Sequence, residues 1–180
     1  GVDVVFHLAA LKHVPICEFQ PAEAMKTNIL GTENVIRACI THGVQKMIDV
    51  STDKAVEPIN VYGMTKAMAE RITIQANHQS KKTRFVCIRG GNVLGTNGSV
   101  VPFFREQILA GKPIPVTSKK MTRFFLTLRE AIELLLKAAE VSIGGETFVM
   151  KMNACNIYDL AVVMREHLAA QPVPIREVGI

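Results

Sequence analysis

Apolar and polar positions alternate along this chain at two different periods. The chain opens on a short, nearly continuous apolar run from Val2 to His7, which predicts a strand buried in a parallel sheet. Pro21 to His42 repeats apolar residues at helical spacing, Ile29, Val35, Ile36 and Cys39 among them, and Gly43 is the residue type that ends a helix. Lys46 to Ser51 is again β-branched and apolar, Tyr62 to about Gln79 reads as a helix with Asn60 placed to cap it, and Arg84 to Ile88 reads as a further strand. Strand and helix alternate, so the fold class is α/β with a parallel sheet flanked by helices. From Gly90 the texture changes. Gly90, Gly91, Gly95 and Gly98 sit in a loop, a helix follows near Pro102, and Pro113 and Pro115 bracket a short extended piece. Thr127 with Glu130 makes a capping box ahead of Ile132, Leu135 and Leu136. Thr147 to Met150 predicts a short strand, and Asn156 with Asp159 starts a last helix through Leu168.

Within this pattern the chemistry concentrates between the second strand and the helix after it. Thr52, Asp53 and Lys54 follow the strand, and Tyr62 and Lys66 open the helix, one turn apart on one side of it. Open α/β sheets bind ligands at the carboxyl ends of their strands, where Thr52 to Lys54 fall. A lysine ammonium beside a phenol favours the phenolate and makes the tyrosine a usable acid or base. Met64, Met68 and Ile72 form a second stripe, placed to face the core while Tyr62 and Lys66 look into a cleft.

Composition narrows the picture. The chain has 180 residues, 48% hydrophobic and 21% charged, which is enough for a soluble globular core. No apolar run reaches membrane-spanning length and no signal peptide opens the chain, so a cytoplasmic setting is expected. Cys17, Cys39, Cys87 and Cys155 are far apart and the five His show no ligand spacing with them, so reduced structural thiols and no metal are expected. The net charge of +5 suits phosphate-bearing ligands, yet Lys and Arg are scattered and no nucleic-acid stripe forms. No G-x-G-x-x-G follows a strand, and Gly90 to Gly95 lacks the Gly-Lys-Ser/Thr of a P-loop. The chain begins inside an element and stops without one, and so reads as a fragment of a longer protein that is inactive alone.

Five strings, taken together, resemble a known family. They are Val4 to Pro15 (VVFHLAALKHVP), Thr27 to Thr32 (TNILGT), Ser51 to Val56 (STDKAV), Arg89 to Gly95 (RGGNVLG) and Met121 to Phe124 (MTRF). The resemblance is to the extended short-chain dehydrogenase/reductases, and within them to the inverting UDP-N-acetylglucosamine 4,6-dehydratases of bacterial capsule, lipopolysaccharide and flagellin-glycan synthesis. It implies a partial Rossmann-like domain over 1–95 and part of a smaller substrate-binding lobe over 96–180, with the 127–141 helix packing back on the sheet. It implies NADP or NAD as cofactor, a UDP-sugar substrate, a homo-oligomer, and no nucleic-acid or membrane contact from this segment.

The resemblance also assigns roles. Tyr62 takes the C4 hydroxyl proton, Lys66 tunes it and holds the nicotinamide ribose, and Thr52 bonds the same hydroxyl. Asp53 is the acid at C6. Lys54, where retaining relatives carry Glu, is the C5 base. Leu8, Ala9, Ala10, Lys12, Val50, Ser51, Tyr62, Lys66 and Val93 are the cofactor contacts implied. Lys12, Asn92, Ser99 and Arg123 are those for the substrate, Arg123 because its planar fork matches phosphate oxygens. Asn28 is expected to brace the active-site strand, His7 and His13 to pack or hydrogen-bond structurally, and Tyr158 to lie in the core. A nucleotide-sugar C4 epimerase or reductase shares Tyr62 and Lys66 without needing Asp53 and Lys54. A non-catalytic dinucleotide-binding protein could keep the fold, although it would have no use for these five groups in one place.

Overall fold

The computed structural model describes residues 1–179. The elements run β1 (Val4–His7), α1 (Val14–Phe19), α2 (Pro21–Met25), α3 (Gly31–His42), β2 (Lys46–Thr52), α4 (Val61–Gln79) and β3 (Arg84–Gly90). They continue through β4 (Asn92–Val93), α5 (Val100–Leu109), β5 (Ile114–Val116), β6 (Thr122–Leu126), α6 (Leu128–Val141), β7 (Thr147–Val149), β8 (Asn153–Asn156), α7 (Ile157–Leu168) and β9 (Ile175–Glu177). Two compact units emerge: one holds Gly1–Gly90 with Arg129–Met150, the other Gly91–Leu128 with the residues from Lys151 on.

The first unit is built on a parallel sheet ordered β1-β2-β3-β7. Side chains alternate along β2, so Met47 packs with Ile36, Cys39, Ala76 and Phe85 while Ile48 packs with Ile88 and Ala138 of α6. Met47, Ile48 and Phe85 are completely buried, and each such side chain contributes about 1.5–3 kcal/mol by leaving water. By the same alternation Asp49 and Ser51 share the face of Met47, toward α4. Gly43 ends α3 at a φ of 66°, where its N–H caps the Ile40 carbonyl. Asn60 starts α4 by accepting the Gly63 N–H at 2.8 Å.

Four expectations change. Among the described residues the opening strand pairs with β2 alone, Val4 and Phe6 are exposed, and His7 is the buried member. The helix from Pro21 is interrupted by a π-helical turn, Lys26–Leu30, before α3. Met64 and Met68 are 52% and 51% exposed, and the stripe of α4 that faces the sheet is Lys66, Ala69, Glu70, Thr73 and Ala76 instead. Small side chains let the helix lie close to the strands, and the two charged ones find partners there. A one-and-a-half-turn helix, α1, also falls where no element was expected.

The second unit holds a three-stranded sheet ordered β4-β6-β8 and a β5-β9 pair. Its core is Phe104, Ile108, Ile114, Val116, Ile157, Ala161 and Val173, with Tyr158 half-buried against it. Asn156 caps α7 by accepting the N–H groups of Tyr158 and Asp159.

Candidate active site

β2 ends at Thr52, level with Gly90 of β3, and a single turn of 3-10 helix, Asp53–Ala55, follows at once. That turn folds three reactive side chains onto one another at the carboxyl edge of the sheet. The Thr52 hydroxyl donates to Asp53 Oδ1 at 3.0 Å, and the Lys54 ammonium donates to the same oxygen at 3.0 Å. The Lys54 and Asp53 side chains are 29% and 22% exposed, so the pair is open to a ligand. Tyr62 completes the group: half-buried at the start of α4, it lies near enough for Thr52 and Asp53 to act on its phenol. Burial pushes the Tyr62 pKa up, the Thr52 contact pulls it down, and the nearby Asp53 carboxylate raises it again. Tyr62 therefore rests as the neutral phenol.

Lys66 is placed otherwise than the spacing suggested. It is buried, and its ammonium bonds Asp49 Oδ1 at 3.3 Å. A carboxylate with no exposure needs a counter-charge more than a phenol does, and Asp49 captures it. One oxygen of Asp49, Oδ2, is left without a hydrogen-bond partner. His7 lies level with Asp49 on the neighbouring strand. Burial holds its pKa below the ordinary histidine value, against an upward pull from Asp49 and with a further downward push from Lys66.

Asp49 was passed over as one residue of a strand. Its signal was an acid inside an otherwise apolar run whose neighbours are buried on both sides. Glu70 was likewise missed. It accepts the Ser51 hydroxyl at 2.5 Å and a two-point contact from Arg89, with Arg89 Nη2 to Glu70 Oε2 at 2.6 Å. The Ser51 hydroxyl thus spends its one proton on Glu70 beneath the sheet edge.

Leu8, Ala9 and Ala10 follow β1 at the same carboxyl edge, with Leu8 and Ala9 exposed and Ala10 half-buried. Val50 is half-buried on the side of β2 opposite Asp49, and Lys12 is exposed. Asn28 clamps Leu11 from both sides, accepting its N–H at 2.8 Å and donating to its carbonyl at 3.0 Å, and also donates to Thr65 at 3.0 Å. It braces the loop after β1 against α4, not the strand β2. His7 Nε2 lies 3.0 Å from the Thr32 hydroxyl, while His13 is exposed at the start of α1.

In the second unit a cavity of about 370 Å³ is lined by Asn92, Ser99, Thr117, Met121 and Arg123, among others. Asn92 donates to the Phe124 carbonyl at 2.9 Å, and Arg123 is exposed and donates to the Thr122 carbonyl at 2.9 Å. Ser99 stands at the start of α5 with its hydroxyl buried and unbonded. Val93, half-buried, lies in β4 beside the cavity residue Asn92. Among the described residues no cluster of His, Cys, Asp and Glu could hold a metal, and no helix is long and apolar enough to cross a membrane.

Comparison with known proteins matches residues 1–180 to the family described as polysaccharide biosynthesis protein. The chain is 46% identical, over 97% of its length and 53% of the relative's, to a UDP-N-acetylglucosamine 4,6-dehydratase (inverting) of Campylobacter jejuni. It is 47% identical, over 92% of its length and 49% of the relative's, to a UDP-glucose 4-epimerase of Rickettsia typhi. The solved structure of Pen from Bacillus thuringiensis is similar with a TM-score of 0.95 at 44% identity, covering 99% of this chain and 57% of that one. The chain thus spans about half the length of the curated relatives it matches.

Proposed function

The chain belongs to the polysaccharide biosynthesis protein family, and from that premise we propose that it carries the catalytic strand and helix of an NAD(P)-dependent nucleotide-sugar 4,6-dehydratase that inverts C5, with UDP-N-acetylglucosamine as substrate. The observation that carries the reading is the Asp53–Lys54 pair held 3.0 Å apart beside Thr52 and Tyr62. An oxidation at C4 alone needs only a tyrosine and its helpers. Loss of water across C5 and C6 needs a second acid and base, and these two residues supply them.

The residues suit a nicotinamide dinucleotide. Lys66 is buried with one hydrogen bond for its three N–H groups, which leaves donors for a ribose diol, and Ala9 and Ala10 offer small side chains past the end of β1. When bound, the cofactor would take hydride from C4 and, after the loss of water, return it at C6, and a proton delivered to C5 on the face opposite the one it left would complete the product and invert that centre. Tyr62 rests as the neutral phenol, so it must first release its proton to solvent. Its phenolate, favoured by the positive charge an oxidised nicotinamide would bring beside it, then accepts the C4 hydroxyl proton, with Thr52 holding that oxygen. The 4-ketone acidifies C5–H, Lys54 removes it, and Asp53 protonates the departing C6 hydroxyl as water. In the resting pair the proton sits on Lys54, and the two roles require it on Asp53. Substrate closing over a pair that is only about a quarter exposed drives out water, and a drier site favours the neutral acid and amine over the ion pair. Asn92, Ser99 and Arg123 are the groups we assign to the diphosphate.

The Rickettsia typhi relative keeps a C4 epimerase as the second reading, in which Tyr62 and Lys66 act and Asp53–Lys54 has no chemical part. Lys54→Ala in the whole enzyme separates the two. Under the dehydratase reading it stops elimination and C5–H exchange with deuterated water by 10²- to 10⁴-fold while C4 oxidation survives. Exchange at the parent's rate would defeat that reading, and Tyr62→Phe should abolish C4 oxidation under either.

A further inference from the structure

Between β2 and α4 lies a buried charge cluster of which the proposed reaction uses Lys66 alone. His7, Asp49 and Cys87 stand level on three adjacent strands, and Lys66 reaches in from α4. Asp49 is fully buried and the Lys66 side chain is 3% exposed. The hydrogen bonds around the cluster settle who can pair with whom. Thr32 donates its single hydroxyl proton to the Asn28 carbonyl at 2.7 Å, so toward His7 it can only accept. His7 Nε2 is therefore the donor across their 3.0 Å contact and carries a proton. Burial favours the neutral ring. Cys87 is no counter-charge either, because burial, Asp49 and Glu70 all push its thiol up and keep it protonated. Glu70 is engaged by Ser51 and Arg89. The cluster thus holds one cation, Lys66, and one anion, Asp49, each the other's partner.

We propose that Asp49 is a positioning residue for Lys66: its buried carboxylate, 3.3 Å away, holds the Lys66 ammonium in place between β2 and α4, so that its remaining N–H groups meet the cofactor ribose. The proposal rests on the reading of Tyr62 and Lys66 given above. Without Asp49 the buried ammonium has no counter-charge within the cluster, and the favourable course is for it to leave its place. Asp49 touches neither substrate nor cofactor, and its influence passes through Lys66 alone.

A double-mutant cycle in the whole enzyme tests it, with single-turnover C4 oxidation, cofactor Kd and sugar KM as readouts. Asp49→Asn keeps the shape and an acceptor but removes the charge. It should slow hydride transfer by about 10- to 100-fold and weaken cofactor binding while sugar KM stays, a split that a mere loss of folded enzyme would not produce. In a Lys66→Met background, adding Asp49→Asn should change neither readout further. Additive losses, or Asp49→Asn at the parent's rate, overturn the proposal. Should Asp49→Asn alone fail to fold, Asp49→Leu with Lys66→Met gives the check. Replacing both members of a buried pair by apolar groups is often neutral, so that double variant should melt within a few degrees of the parent. A double variant that also fails to fold would make the cluster structural and end the proposal. If Tyr62→Phe leaves C4 oxidation intact, the dehydratase reading itself has failed, whatever Asp49 does.

Discussion

Replacing Gly63 by alanine sets two effects of opposite sign against each other. In an open helix the change would stabilise by about 1 kcal/mol, because glycine is the poorer helix former. Gly63 is in the first turn of α4, where its N–H is bonded by Asn60 and its α-carbon faces the loop that carries Lys54. A Cβ there would stand 2.2 Å from the Lys54 carbonyl oxygen and 3.1 Å from Cβ of Pro58, more than 1 Å inside ordinary contact with backbone that no rotamer change can move. The strand-to-helix connection must shift by about an ångström. Overpacking of this kind costs about 1–3 kcal/mol, which cancels the helix gain and leaves a net loss between zero and about 2 kcal/mol. The catalytic consequence is larger, since Lys54 and Asp53 move with that backbone and a misplacement of about 1 Å can cost about 10²-fold in rate. Gly63→Ala should therefore lower kcat far more than it lowers stability. Urea unfolding and steady-state turnover of the whole enzyme read both. A variant with full turnover and about 1 kcal/mol of added stability would refute the close approach of α4 to the Lys54 loop.

Glu70→Gln leaves Arg89 and the Ser51 hydroxyl competing for a neutral partner. Breaking a buried ion pair costs about 3–5 kcal/mol, but the Arg89 side chain is 30% exposed, so solvent reduces the loss to about 2 kcal/mol, and a urea midpoint within error of the parent's would contradict this. His7 has a folded-state pKa below its ordinary 6.5, so the unfolded chain binds the extra proton first. Its contribution is complete above pH 6.5 and is lost as pH falls toward the lowered folded value. Tm measured across pH 7.5 to 5.5 should thus fall less for His7→Gln than for the parent, and equal slopes would count against a neutral buried His7. Of the two tyrosines, Tyr62 should ionise above the ordinary 10.0 in the cofactor-free protein, as seen in the ultraviolet difference between the parent and Tyr62→Phe. Ionisation at or below that value would mean that Lys66, not burial, governs the phenol.

What the sequence made legible was local. Asn60, Gly43 and Asn156 act where side chain or backbone type alone decides, at helix ends, and each appears in the structure with the partner its chemistry requires. Thr52, Asp53, Lys54 and Tyr62 come together because a strand end, one 3-10 turn and a helix start are contiguous in the chain. The inner face of α4 was not legible. Its period admits Met64 and Met68 or Lys66, Glu70 and Thr73 as the buried stripe, and hydrophobicity favours the methionines. The choice falls to Asp49, Ser51 and Arg89 on two strands, which only pairing across 17 to 19 positions brings beneath the helix. The sheet β4-β6-β8 stayed hidden for a related reason: strands of two to five residues carry little periodicity, and their partners lie about 30 positions apart.

The fate of one hydrogen decides the central claim. UDP-N-acetylglucosamine carrying deuterium at C4 is incubated with the whole enzyme and the product is examined by mass spectrometry and NMR. If Thr52 and Tyr62 serve the oxidation and Asp53 and Lys54 the loss of water, the label leaves C4 and reappears in the C6 methyl group of a 4-keto-6-deoxy sugar, without net reduction of cofactor. Deuterium found again at C4 with oxygen retained at C6 would contradict the account and make the protein an epimerase.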